Sequence, residues 1–117
     1  MNIVIIDYKM GNLRSVQKAF ARCGFDAKIS SDLTVIKGAD KLILPGVGHF
    51  KLGMESLAKL NLIDVIKEKA LIKKTPILGI CLGMQLLTSF SEEGDISGLG
   101  LINAHTLRFP FFKDRKL

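Results

Sequence analysis

T-P-I-L-G-I-C-L-G-M-Q-L-L, residues 75–87, sets an apolar run against a cysteine held between two glycines, and helical spacing resumes behind it. Pro76 to Ile80 is short and apolar and reads as a buried strand. Leu82 to Phe90 reads as a helix with Leu86, Leu87 and Phe90 on one side. A strand, then G-x-C-x-G, then a helix is the pattern of a nucleophile elbow. Its turn is sharp and strained, it lifts the nucleophile to the sheet's edge, and side chains at the flanking positions would collide with strand or helix. A helix start also favours a thiolate over a thiol. The plain alternative is that Cys81 is a small buried hydrophobe, as free cysteines often are.

Outward from this stretch, the pattern is α/β. Asn2 to Asp7 (N-I-V-I-I-D) is a β-branched apolar run and reads as a strand. Gly11 gives a turn and Asn12 a helix cap, followed by Leu13, Val16, Phe20 and Cys23 at helical spacing and Gly24 at the end. Asp26 to Ser30 reads as a second strand, and Leu33 to Ala39 as a short helix or loop. Lys41 to Pro45 is a third strand, closed by Gly46 and Gly48. A helical region from Phe50 to Lys74 is broken near Asn61, after which Leu62, Val65, Ile66 and Lys69 continue the period. Ser91 to Gly98 reads as a polar loop. Leu99 to Ile102 and His105 to Phe109 read as strands of a hairpin or meander. Near-continuous apolar strands imply one domain over residues 1–117, a mostly parallel sheet with helices on both faces. Ligands in such sheets bind beyond the carboxyl ends of the strands, where both glycine-rich corners, Pro45 to Gly48 and Gly79 to Gly83, fall.

Composition narrows the function. The two cysteines, Cys23 and Cys81, show neither a Cys-x-x-Cys nor a zinc spacing, which argues against a disulfide scaffold or a metal site and fits a reducing compartment. The formal net charge is +6. A nucleic-acid surface would cluster that charge, yet the lysines are dispersed, and the denser group Lys67, Lys69, Lys73 and Lys74 reads as a solvated helix face. Arg108, Lys113, Arg115 and Lys116 read as a solvated loop. The N-terminus lacks a basic leader pattern, and no apolar stretch approaches the roughly 18 residues of a membrane span. A cytoplasmic protein that binds neither nucleic acid nor membrane is expected.

Acyl transfer also needs N–H donors aimed at a developing oxyanion. Pro45-Gly46-Val47-Gly48 can present them, because glycine adopts the backbone angles that point N–H groups outward. The turn is not a phosphate loop: neither G-x-x-x-x-G-K-[ST] nor G-x-G-x-x-G occurs.

D-Y-K-M-G-N-L-R-S-V, L-P-G-V-G-H-F, G-I-C-L-G-M-Q-L-L and G-L-G-L-I, in that order from Asn2 to Phe109, together resemble the class I (triad) glutamine amidotransferases. Within that family they are most similar to the glutaminase subunits of imidazole glycerol phosphate synthase. The resemblance implies a flavodoxin-like fold and hydrolysis of glutamine to glutamate and ammonia. The ammonia would pass to a partner cyclase barrel in a heterodimer, as in histidine biosynthesis, with no cofactor and no metal. It makes Cys81 the nucleophile that forms a glutamyl thioester. Gly46, Val47 and Gly48 become the oxyanion strand, Leu82 N–H the second donor, and Gln85 a holder of the substrate glutamine. Tyr8, Gly11 and Asn12 would lie toward the cyclase.

One part of the family's pattern does not occur. The base and its orienting carboxylate come from a late H-P-E segment, which this sequence lacks; its histidines are His49 and His105. His49, after the P-G-V-G turn, could in principle substitute, although packing against the turn or facing solvent is the simpler role. His105 reads as a surface strand residue, and Glu92 and Glu93 as solvated loop carboxylates. The chain therefore reads as the N-terminal portion of such a domain, truncated before the triad is complete. Phe109-Pro110-Phe111-Phe112 would be an apolar cluster in need of cover. Such a chain is expected to be inactive alone and marginally stable or self-associating. Two alternatives within the resemblance are an amidotransferase subunit for surface-sugar amidine synthesis and a catalytically dead module that docks on a cyclase. Outside it, a thiol hydrolase or redox sensor could share the elbow without needing the P-G-V-G turn or Gln85.

Overall fold

The computed structural model of the chain describes residues 1–107. The Phe109–Phe112 cluster, the basic end and the last residues of the expected strand to Phe109 lie outside them. Four strands, β1 (Ile3–Ile6), β2 (Ala27–Ser30), β3 (Lys41–Leu44) and β4 (Ile77–Gly79), form a wholly parallel sheet in the order β2-β1-β3-β4. β1 is flanked by β2, opposite Ala27, and by β3, opposite Lys41, both at Ile3. Because side chains alternate across a strand, Ile3, Ile5, Ala27 and Ile43 face one side, and Val4, Ile6, Leu42 and Leu44 the other.

Helix α1 (Leu13–Arg22) covers the first side with Leu13, Val16 and Phe20. On the second side, α2 (Leu33–Lys37), α3 (Phe50–Lys59), α4 (Ile63–Leu71) and α5 (Leu82–Leu86) bury Ile36, Phe50, Leu57, Ile66 and Leu86 in one cluster. Local chemistry starts these helices where polar caps stand. The Asn12 side chain accepts from Ser15 N–H at 3.3 Å, and Asp32 Oδ1 accepts from Thr34 N–H at 2.8 Å. Asn61, at φ 59, separates α3 from α4, as its place in the broken period suggests.

Four expectations need correction. The long helical region ends at Leu71 rather than Lys74: Lys74 turns to φ 57, and Thr75 N–H returns to the Lys69 carbonyl at 2.8 Å. The cysteine helix ends at Leu86, not Phe90. Thr88 Oγ1 donates to the Gln85 carbonyl at 2.6 Å, and Thr88–Ser91 becomes strand β5, paired with β6 (Ile96–Ser97) and β7 (Ile102–Thr106). Tertiary pairing overrides the local helical spacing there. There is no hairpin between Leu99–Ile102 and the last strand. Leu99 is buried, its N–H donates to the Leu86 carbonyl at 2.8 Å, and β7 runs parallel to β5.

The fourth correction concerns Lys69, which is not part of a solvated face but buried at 7% exposure. Its Nζ donates to the Lys37 and Ala39 carbonyls, each at 2.8 Å, at the C-terminal end of α2. A cation there satisfies carbonyls that the helix end leaves open. Lys69→Met keeps the apolar stem and removes both bonds, and is expected to lower stability by about 1–3 kcal/mol, read as a shift in the urea midpoint.

No helix among the described residues is long and apolar enough to cross a membrane.

Candidate active site

The strand order places β1 between β2 and β3, so the chain reverses direction across the sheet at the β1–β3 boundary. Crevices at such reversals, beyond the carboxyl ends, are where open α/β sheets bind ligands. Three segments meet there: Asp7 to Asn12 after β1, Pro45 to Gly48 after β3, and Ile80 to Gly83 after β4.

Cys81 opens α5 at φ 54 and ψ −119, a backbone region that side-chain-bearing residues rarely occupy. Such a conformation costs about 1–3 kcal/mol and persists only where the surroundings enforce it. Here the enforcement is visible. Ile80 N–H donates to the Leu44 carbonyl and Leu82 N–H to the Gly46 carbonyl, both at 3.0 Å. A Cβ on Gly83 would lie 1.7 Å from the Leu44 carbonyl oxygen, and one on Gly79 would lie 2.6 Å from Met84 Cα. The glycines on either side of the cysteine are thus dictated by backbone approaching backbone. Cys81 itself is exposed rather than a buried hydrophobe. The helix it opens has five residues.

The neighbouring turn packs just as closely. A Cβ on Gly46 would lie 2.0 Å from Tyr8 Oη, and one on Gly11 would lie 3.1 Å from Gly46 Cα. Val47 at the turn's apex is 62% exposed. The Leu82 N–H, expected as an oxyanion donor, is in this conformation taken by the Gly46 carbonyl. Gln85 lies one turn along α5, half-buried, its N–H reaching the Cys81 carbonyl at 3.3 Å.

Tyr8, expected to face a partner, does not. Its ring is fully buried, and its hydroxyl donates to the Pro45 carbonyl. Burial raises the phenol's pKa, so it remains a donor throughout the ordinary pH range. Gly11 and Asn12 are exposed.

Each histidine is engaged with a group other than the cysteine. His49 caps α3, with Nδ1 accepting from Lys51 N–H at 3.1 Å. His105 meets Phe90 edge-on, with ring centroids 5.8 Å apart. Among the described residues no hydrogen bond joins either ring to Cys81. Glu93 is not simply solvated: its Oε1 accepts from Phe50 N–H at 2.6 Å, closing the β5–β6 loop over the start of α3. That tie spans 43 residues, so no local pattern announces it. Among the described residues no group of three or more His, Cys, Asp or Glu could hold a metal ion.

Comparison with known proteins agrees with this geometry. The sequence profile of the family "Glutamine amidotransferase class-I" matches residues 4–106. The chain is 56% identical over 115 residues to imidazole glycerol phosphate synthase subunit HisH 2 of Methanococcus maripaludis, covering 98% of this chain and 57% of that protein. It is 48% identical over 115 residues to the subunit HisH 2 of Pseudomonas aeruginosa, with the same coverages. The chain thus spans little more than half the length of these relatives. Among solved structures, one described as a glutamine amidotransferase superposes with a TM-score of 0.73 at 21% identity, covering 90% of this chain and 56% of that one. At that identity the likeness shows the fold.

Proposed function

We propose, since this chain belongs to the class I glutamine amidotransferase family, that it carries the nucleophile-bearing part of a glutaminase that supplies ammonia to a cyclase subunit. The observation that carries the reading is the strained, exposed Cys81 between two glycines that no larger residue could replace. Glutamine would lie across the carboxyl ends of β1, β3 and β4, with Gln85 beside its amino-acid end. The Cys81 sulfur adds to the side-chain amide carbon, giving up its proton as the carbonyl electrons pass to oxygen; the tetrahedral oxyanion then collapses, the C–N bond breaks, and the leaving nitrogen takes that proton and departs as ammonia. Water then cleaves the thioester to glutamate and regenerates the thiol.

The oxyanion formed in each step needs donors. Leu82 N–H is one, once the Gly46 carbonyl withdraws. Rotating the Gly46–Val47 peptide withdraws that carbonyl and turns the Val47 N–H into the same space. Glycines at 46 and 48 make the rotation inexpensive. The base that activates the thiol and the carboxylate that orients it belong to the H-P-E segment of the family, which this sequence does not contain. The relatives' names, subunits of imidazole glycerol phosphate synthase, support a partner that consumes the ammonia in imidazole glycerol phosphate synthesis. Gly11 and Asn12, exposed beyond the carboxyl end of β1, would be the residues to meet it.

The test is ammonia release from glutamine by this chain joined to the segment that follows the matched region in the Methanococcus maripaludis relative. Activity is expected, and Cys81→Ala should abolish it. Equal activity in the variant would overturn the reading.

A further inference from the structure

We propose that Tyr8 is a positioning residue whose hydroxyl latches the Pro45–Gly48 turn in the arrangement that keeps the Leu82 N–H occupied, so that this latch governs how readily the donors are released. The proposal rests on the glutaminase reading for its purpose, though not for its geometry. Proline has no N–H, so the carbonyl is Pro45's one backbone hydrogen-bonding group, and the Tyr8 hydroxyl takes it. This fixes the peptide immediately before Gly46, the residue whose carbonyl holds Leu82 N–H at 3.0 Å.

Tyr8 is itself held at both ends. Its ring is wholly buried, and its own carbonyl accepts from Ser56 Oγ on α3. Gly46 has no side chain to separate it from the phenol: a Cβ there would come within 2.0 Å of Tyr8 Oη and 3.1 Å of Cζ. The turn therefore rests directly on the tyrosine, with no intervening side chain to absorb movement. On its other side Gly11, three residues beyond Tyr8, lies where a Cβ would be 3.4 Å from Val47 N. Between them Lys9 sits at φ 70. The same exposed loop thus begins at the latch and ends against the peptide that must rotate, so a force on it reaches the turn from both sides.

Amide hydrogen exchange of the full chain, resolved to single residues by mass spectrometry, tests this without glutamine. Tyr8→Phe keeps the ring and removes the latch. Exchange at Leu82 is expected to rise roughly tenfold, the factor set by one hydrogen bond, while Ile5 and Ile43 in the central strands stay unchanged. An equal rise at all three would mean general loosening, and no rise at Leu82 would mean no latch; either overturns the proposal. Ser56→Ala, which frees the Tyr8 main chain and leaves the ring, should raise Leu82 exchange about threefold. No change in that variant overturns the proposal even if Tyr8→Phe fails to fold. Ammonia release remains the separate test of the glutaminase reading.

Discussion

Gly83→Ala is expected to unfold the protein or remove more than about 3 kcal/mol of its stability, a large share of the roughly 5–15 kcal/mol of an ordinary domain. A methyl group there would stand 1.7 Å from the Leu44 carbonyl oxygen, 2.6 Å from its carbon and 3.1 Å from the Pro45 carbonyl oxygen. All three are backbone atoms, so no side-chain rotation relieves the clash, and α5 must lift away from β3. Lifting it breaks the Ile80–Leu44 and Leu82–Gly46 hydrogen bonds that hold Cys81 in its strained conformation. Gly38→Ala is the contrasting control. Gly38 sits at φ −86, and its nearest foreign atom, the Thr34 carbonyl oxygen, would be 3.6 Å away. Alanine there should be neutral or stabilise by a few tenths to about 1 kcal/mol. Urea titrations of both variants, followed by far-ultraviolet circular dichroism, read the contrast; similar midpoints would contradict the packing account.

The second large effect concerns chemistry. The 117-residue chain alone should release ammonia from glutamine at a background rate, about 10²–10⁴-fold below the chain completed by an H-P-E segment. The reason is local. Cys81 needs a group to take its proton and later to protonate the leaving nitrogen. His49 is tied to the start of α3 and His105 rests against Phe90. Glu93, the carboxylate that the β5–β6 loop folds inward, is already engaged with Phe50 N–H. If His49 did act as the base, the lone chain would be active and His49→Ala would silence it. Comparing the lone chain, the completed chain and His49→Ala in one assay decides between these outcomes.

Much of the fold was legible because its signals are local. β1, β3 and β4 are short apolar runs bounded by turn residues, and Asn12 and Gly24 mark the ends of α1. The elbow was legible because glycines at 79 and 83 around a cysteine make sense only where backbones crowd. The rest depended on long-range contacts. Thr88–Ser91 left the helix because strands on both sides recruit it, and periodicity within the helix does not encode that recruitment. Lys69 reads in sequence as one of several surface lysines, yet carbonyls 32 and 30 residues away hold it inside. The family resemblance sets Tyr8 toward a partner, whereas the turn after β3, 37 residues on, takes its hydroxyl and the ring is buried. The occupied Leu82 N–H is likewise a property of how two corners meet.

The central claim is that Cys81 is a glutamine-directed nucleophile, and labelling tests it most directly. Alkylation at mildly alkaline pH needs no protein base to activate a thiol. Cys23 and Cys81 are both exposed, and Cys23 serves as an internal control. The chain is treated with a chloroketone analogue of glutamine, with and without excess glutamine, and each cysteine's adduct is followed by peptide mass spectrometry. The account predicts that Cys81 is labelled at least about tenfold faster than Cys23 and that glutamine suppresses only the Cys81 adduct. Equal labelling of the two thiols, with no protection by glutamine, would contradict it.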